Sequence, residues 1–294
     1  MKKVIKFKEQ GFCFGVSRSI EITQKAIDNP NTKKPIYLLG HLVHNHYVND
    51  HFSNMGVIVL NSKTRYEMLD QVNSGTIIIT AHGVSTKVLD KARKKGLDIV
   101  DATCPYVTKT VEKIKEKANN GYHILYIGKI NHPEVETIQY EIKDSIIIEQ
   151  NKKLPKIPKG KCVLAHQTTL SDYDVKSISE VLCKKYKNIE LLEQVCIFPE
   201  KRQQEINNYD FFKERNLVIV VGDKISNNAT KLVELVERKK IGDVMMFTNS
   251  SSVNNIDFNK YDYIYITSGT STPITIVDEI YNKIKEKENE KNIK

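Results

Sequence analysis

Apolar runs rich in Ile, Val and Tyr recur along this chain and alternate with stretches of helical periodicity. The runs are PIYLLG, GVIVL, TIIITA, LDIVDA, HILYIG, SIIIE, KCVLAH, IELLEQV, LVIVVG, DVMMFT and DYIYITSG. Between them, SRSIEITQKAID, YVTKTVEKIKEKANN, DYDVKSISEVLCKKY, KLVELVERKK and ITIVDEIYNKIKEK carry the period of helices with one buried face. Strand, helix, strand repeated in this way predicts an α/β protein with mostly parallel sheets covered by helices. Ligands of such sheets bind beyond the carboxyl ends of the strands, which is where the polar motifs of this chain stand.

A threefold repeat underlies the pattern. Cys13, Cys104 and Cys196 are separated by 104 − 13 = 91 and 196 − 104 = 92 residues. Each is followed by an apolar strand closed by glycine with a polar residue four positions on: Gly40 and His44, Gly128 and His132, Gly222 and Ser226. A second apolar run then ends in small and polar residues, IIITAHGVS, CVLAHQTTLS and YIYITSGTSTP. At 294 residues the chain is short for three independent domains, which need roughly 100 residues or more each, but fits three pseudo-symmetric α/β lobes in a trefoil around a shared centre. The expected divisions are 13–103, 104–195 and 196–281, with residues 1–12 packing near the third lobe and 282–294 forming a solvated charged tail.

Charge adds less than its size suggests. Lys and Arg number 45 against 36 Asp and Glu, a net +9, but the lysines are scattered over predicted helix faces. With no Gly/Arg tract, zinc-finger spacing or aromatic RNA-binding signature, nucleic acid is not an expected partner, whereas an anionic small substrate suits the charge. The N-terminus lacks the apolar stretch of a signal peptide and no run reaches 18 apolar residues, so the expected place is the cytoplasm, off the membrane. Five cysteines in a reducing compartment argue for buried, ligating or catalytic thiols rather than a disulfide framework.

The three repeated cysteines stand where a strand gives way to a helix, and a helix N-terminus favours the thiolate. Cys162, inside an apolar run, and Cys183, on a helix face, read as packing. Three thiolates without a fourth partner suit a zinc site completed by a histidine, an open catalytic zinc, or an iron–sulfur cluster with one iron free. Structural zinc usually draws on close CxxC or HxxxH pairs, which are missing here. Unrelated buried cysteines remain the plain alternative. His44, His82 and His132 lie at predicted strand ends, with Ser226, Asn228 and Ser271 at matching places in the third lobe, a donor set suited to phosphate oxygens. Glu134 shares a segment with His132, and burial there is expected to raise its pKa and make it a proton donor. Thr168 and Thr169 offer hydroxyls at another strand end.

Taken together, GFCFGV, LVHNHYV, AHGVS, DATCPYV, HPEVE, QTTLS, the RQ of EKRQQE and SGTSTP closely resemble one family, 4-hydroxy-3-methylbut-2-enyl diphosphate reductase. The motifs run from residue 11 to 273. The resemblance implies a trefoil of α/β lobes around a 4Fe-4S cluster held by Cys13, Cys104 and Cys196. It implies reductive dehydroxylation of the substrate at an open fourth iron to isopentenyl and dimethylallyl diphosphate. It assigns the diphosphate to His44, His82, His132, Ser226, Asn227, Asn228 and Ser271, the catalytic roles to Glu134 with Thr168 and His132, and electron supply to a ferredoxin or flavodoxin. Departures are Phe198 and Pro199 after Cys196, Asn227 in place of a common serine, Lys129 in place of a frequent histidine and the absence of glycine after HPEVE. They bear on pocket geometry rather than on the reaction. A second enzyme reading is an iron–sulfur hydro-lyase, in which an open iron is only a Lewis acid. A metal- or anion-sensing regulator would need a DNA-reading element, which the sequence lacks.

Overall fold

The computed structural model describes residues 3–150 and 152–292. In chain order it runs β1 (Lys3–Lys6), α1 (Phe14–Asp28), β2 (Ile36–Leu38), α2 (His46–Asn54), β3 (Ile58–Val59), α3 (Arg65–Met68), β4 (Thr76–Ile79), α4 (Thr86–Lys94) and β5 (Asp98–Asp101). Next come α5 (Pro105–Asn119), β6 (His123–Ile127), α6 (Pro133–Glu141), β7 (Ile146–Ile148), β8 (Cys162–His166), α7 (Asp172–Lys185) and β9 (Ile189–Leu191). The chain closes with α8 (Phe198–Asn208), β10 (Asn216–Val221), α9 (Asn227–Lys239), β11 (Asp243–Phe247), β12 (Tyr263–Ser268) and α10 (Ile274–Asn292).

Three four-stranded sheets result, ordered β3-β2-β4-β5, β7-β6-β8-β9 and β1-β12-β10-β11. Every pairing is parallel. The three orders are equivalent: β4, β8 and β12 are inner strands, and beside each lies an edge strand, β5, β9 or β1. The third sheet therefore draws its last strand from the beginning of the chain, with Lys3 paired to Tyr263 and Lys6 to Ile266. Each edge strand leads to one repeated cysteine: β1 to Cys13, β5 to Cys104 and β9 to Cys196.

The chain forms two compact units. One gathers the residues up to Cys13, His44–His46 and Ile197 onward, and holds the third sheet; the other gathers Phe14–Val43 and Tyr47–Cys196, and holds the first two. In the third sheet, alternate residues of β10 enter separate cores. Leu217, Ile219 and Val221 pack with Val277, Ile280 and Ile284 of α10, while Val218 and Val220 pack with Leu232, Leu235 and Val236 of α9. A strand buried on both faces must be apolar throughout, which is why LVIVV reads as a run. Each such side chain contributes roughly 1.5–3 kcal/mol by burial.

All eleven expected strands are present, and β1 is added to them. Its four residues, KVIK, carry too little apolar pattern to register alone and become a strand by pairing with β12. The helices α2, α3, α4 and α6 come in addition to the five patterned stretches and the helix expected after Cys196, which is α8. In α8 the buried side chains include Arg202 and Gln203 beside Ile206, so polar residues hide its inner face from an apolar count. The stretch expected as a charged tail continues α10 through Asn292, with Ile284 buried and Lys285 paired to Glu288 at 2.6 Å; residues 293–294 lie outside the described residues. Among the described residues no helix is long and apolar enough to cross a membrane.

Candidate active site

The inner strands β6 and β8 run in register, Ile127 beside His166, so the segments leaving them emerge together. One turns at His132 into α6 and the other carries Thr168. His132 caps α6: its Nδ1 accepts from the backbone N–H of Glu134 at 3.2 Å, and Pro133 occupies the first turn, where a missing N–H costs nothing. Glu134 is thereby turned inward and is 3% exposed.

Its carboxylate is surrounded by donors. The Thr168 hydroxyl donates to Oε1 at 2.7 Å and the Thr168 N–H to Oε2 at 2.9 Å. The Tyr126 hydroxyl donates to Oε2 at 3.5 Å, and His82 Nδ1 lies 3.6 Å from Oε1. Burial pushes the Glu134 carboxyl up, but His82 and the two donors of Thr168 outweigh burial and hold it below its usual range. This differs from the raised pKa expected from sequence. Burial alone favours the neutral acid, whereas four donors converging on one carboxylate favour the anion. Tyr126 is pushed the other way, well above its usual value, by burial and by the Glu134 charge, and so stays a hydroxyl donor.

His132 is held well below its ordinary range by burial and then by its neighbours His82, Arg65 and Lys129. It is therefore neutral at pH 7. Because Nδ1 accepts from Glu134, the ring proton resides on Nε2, which makes that edge a donor. The His82 and His132 rings meet edge to face, centroids 5.1 Å apart.

Two of the repeated cysteines lie in this same unit. Cys104 is the N-cap of α5, and Cys196 precedes the N-cap Ile197 of α8. A Cβ on Gly15 would collide with the Cys104 sulfur, so glycine leaves room for the thiol at the start of α1. Arg18 of α1 donates to the Thr103 carbonyl at 2.8 Å, tying that helix to the cysteine turn. Cys196 lines one small pocket with Thr168 and Thr110. Cys162 is fully buried in β8, where burial raises its thiol pKa, and Cys183 is half-buried on α7; both read as packing. All five cysteines are free of disulfides.

The other unit holds Cys13 and the remaining candidates. The Cys13 N–H donates to the Thr270 carbonyl at 3.0 Å, beyond β12. Arg202, 3% exposed, donates through Nη2 to the Gly11 carbonyl at 2.6 Å and through Nη1 to the Ser268 carbonyl and hydroxyl. Burial pulls its guanidinium down to about 10, against the opposing pull of Cys13, Glu9 and Glu205, and it stays charged at neutral pH. The RQ motif thus positions the cysteine turn, a role that its sequence did not disclose.

Ser226, Asn227 and Asn228 form the N-terminus of α9, where unpaired N–H groups and the helix dipole favour an anion. Ser226 caps the helix by accepting from the Ala229 N–H at 3.3 Å. Asn228 accepts from the Thr270 N–H at 2.8 Å, while its buried Nδ2 has no hydrogen-bond partner among the described residues. Ser271 donates to the His44 carbonyl at 3.2 Å and lies 3.4 Å from the Ser226 hydroxyl. Asp223, not singled out in the sequence, receives the His46 N–H at 3.0 Å and its ring Nδ1 at 2.5 Å, fastening the histidine segment to the turn after β10.

A family model described as LytB protein matches residues 4–285. The chain belongs to that family. Among its relatives, the 4-hydroxy-3-methylbut-2-enyl diphosphate reductase of Anoxybacillus flavithermus (strain DSM 21510 / WK1) is 38% identical over 284 residues, covering 95% of this chain and 89% of the relative. The protein of the same name from Bacillus cereus (strain AH820) is 36% identical over 281 residues, 95% of this chain and 88% of that one. A solved E-1-hydroxy-2-methyl-but-2-enyl-4-diphosphate reductase from Plasmodium falciparum superposes with a TM-score of 0.84 at 31% identity, over 96% of this chain and 87% of that one. A second structure, of (E)-4-hydroxy-3-methyl-but-2-enyl diphosphate reductase, shares the fold with a TM-score of 0.67 at 24% identity, over 97% of this chain and all (100%) of that one. The three-sheet α/β fold is thus a LytB fold.

Proposed function

We propose that this chain reduces 4-hydroxy-3-methylbut-2-enyl diphosphate to isopentenyl and dimethylallyl diphosphate, the activity for which its relatives are named. The observation that carries the reading is the Glu134 carboxylate bonded at both oxygens by Thr168 in a buried setting shared with two histidines. Cys13, Cys104 and Cys196 would hold a 4Fe-4S cluster. Their thiols, in no disulfide and at equivalent strand-to-helix turns, and the glycine that leaves room at Cys104, suit such a group. When bound, the cluster supplies electrons one at a time and an open iron that takes an oxygen ligand. Electrons would come from a ferredoxin or flavodoxin, in the reducing cytoplasm where free thiols persist.

The remaining chemistry belongs to the side chains. Removing the hydroxyl as water while forming a new C–H bond consumes two electrons and two protons. His44, His82, His132, Ser226, Asn227, Asn228 and Ser271 would share the diphosphate. His132 suits this as a neutral Nε2 donor, and Asn228 brings a buried amide Nδ2 that an anion would satisfy. Thr168 would orient the substrate hydroxyl. Glu134 rests ionised, so it must first take up a proton and then pass it along the 2.7 Å contact to Thr168. An anionic diphosphate nearby opposes that ionisation, and binding would thereby raise the proton affinity of Glu134 at the moment it is needed.

The test is anaerobic purification with iron and sulfide analysis, EPR, and turnover with a measured electron count. Two electrons per product support the reading. Conversion with no electrons consumed would point to the hydro-lyase instead.

A further inference from the structure

Arg65 has no part in the chemistry just described, yet it is 7% exposed and charged. It opens α3, and its backbone N–H donates to Glu136 Oε1 at 3.0 Å. The guanidinium itself meets that carboxylate only loosely, Nη1 to Oε2 at 3.7 Å, and its buried Nε has no hydrogen-bond partner among the described residues. Burial pulls the group down to about 10, well short of neutralising it at pH 7. A buried cation so weakly paired is costly to fold, and a tight ion pair or an apolar side chain would serve packing better.

Its position suggests what offsets the cost. Nη2 lies 3.7 Å from where a Cβ on Gly40 would stand, under the turn that leaves β2, and Gly40 adopts φ +90°, a conformation suited to glycine. Glu136 sits in the first turn of α6, its N–H donating to the His132 carbonyl at 3.0 Å. The guanidinium therefore lies between the exit of β2 and the helix start that presents His132 and Glu134. Its charge already acts on the His132 ring.

We propose that Arg65 is a positioning residue for anion binding, a buried positive charge behind His132 that strengthens the hold on a diphosphate group while Glu136 keeps the guanidinium in place. The inference rests on the reading that His132 and His82 bind that diphosphate. Burial keeps this charge from being screened by salt, unlike the surface lysines. Glu136 cancels part of the field, so loss of its charge should leave binding intact or tighter. A merely structural strut would behave in the opposite way.

The experiment is calorimetric titration of inorganic diphosphate into the anaerobic holoprotein and its variants. Arg65→Met should weaken binding roughly tenfold, the effect of one charge acting on another across about 10 Å at an effective dielectric near 20. Arg65→Lys should retain most of the affinity, and Glu136→Gln should match or exceed the parent. In NMR titrations the His132 midpoint should rise in Arg65→Met and not in Arg65→Lys, with the other groups facing that ring, His82, Lys129, Glu134 and Glu136, unchanged. Parent-like affinity in Arg65→Met, or a Glu136→Gln loss equal to that of Arg65→Met, would overturn the proposal. If Arg65→Met does not fold, Glu136→Gln decides: affinity at or above the parent supports the field, and loss sinks it. Equal affinity of parent and His132→Asn would remove the underlying reading of the pocket, and the inference with it.

Discussion

Thr168 grips both oxygens of the buried Glu134 carboxylate, its hydroxyl on Oε1 at 2.7 Å and its N–H on Oε2 at 2.9 Å. The two residues are 34 positions apart and meet only because β6 and β8 are neighbours. In the function proposed above, their contact would carry a proton from Glu134 through the threonine hydroxyl outward. Glu134→Gln keeps the shape and removes the proton, so turnover should fall roughly a hundredfold or more, the usual scale of general acid catalysis. Thr168→Val should fall similarly and Thr168→Ser much less, in steady-state assays at saturating reductant. Near-normal turnover by Glu134→Gln would remove this path and point to water or the diphosphate as proton source.

Serine at Cys13, Cys104 or Cys196 should abolish or badly weaken cluster assembly, read as iron and sulfide per chain, whereas serine at Cys162 or Cys183 should not. Gly15→Ala is a sharper probe, because its new methyl would meet the Cys104 sulfur and displace it. Iron content should fall with the helix intact by circular dichroism. Full iron occupancy in Gly15→Ala would show that Cys104 need not sit where it does.

Diphosphate recognition should depend on Asn228, whose buried Nδ2 is available as a donor at the start of α9. Losing a hydrogen bond to a charged group costs roughly 1.5–3 kcal/mol, or about ten- to a hundredfold in affinity. Asn228→Ala and His82→Asn should each weaken binding of isopentenyl diphosphate on that scale, with the cluster spectrum retained. Unchanged affinity in both would argue that the phosphates lie elsewhere.

Acid should destabilise the fold in two separate windows. His132 is buried neutral with its pKa depressed below 6.5, so below that pH the unfolded chain takes up a proton that the folded one refuses. Stability should then drop with falling pH by up to about 1.4 kcal/mol per unit. Glu134 is likewise depressed, below 4.5, so its contribution is present above that value and lost as pH falls through the folded pKa. Urea midpoints between pH 7 and 5 should depend less on pH in His132→Asn, while Glu134→Gln should change the dependence only at lower pH. A parent-like slope in His132→Asn would contradict the buried neutral ring.

Some of this was readable along the chain, for reasons that differ by element. The eleven apolar runs became strands because a strand covered on both faces must be apolar at every position, a constraint visible without coordinates. Polar helices were harder. In α8, Arg202 and Gln203 are both buried, and Arg202 donates to the carbonyls of Gly11 and Ser268 and to the Ser268 hydroxyl, so their burial leaves no apolar trace. Arg65 and Asp223 escaped notice likewise, since a charged side chain shows its burial only when the surrounding elements are in place.

By itself the sequence determined the class of fold, the parallel strands, the threefold recurrence of cysteine, glycine and polar strand end, and membership in one family. These depend on local composition and order. Only the tertiary structure decided that β1 completes the third sheet, because the pairing of Lys3 with Tyr263 joins opposite ends of the chain. It likewise decided that Glu134 rests as an anion. Burial pushes a carboxyl one way and His82 and Thr168 push it the other, and their balance is set by distances that separate segments fix only when folded.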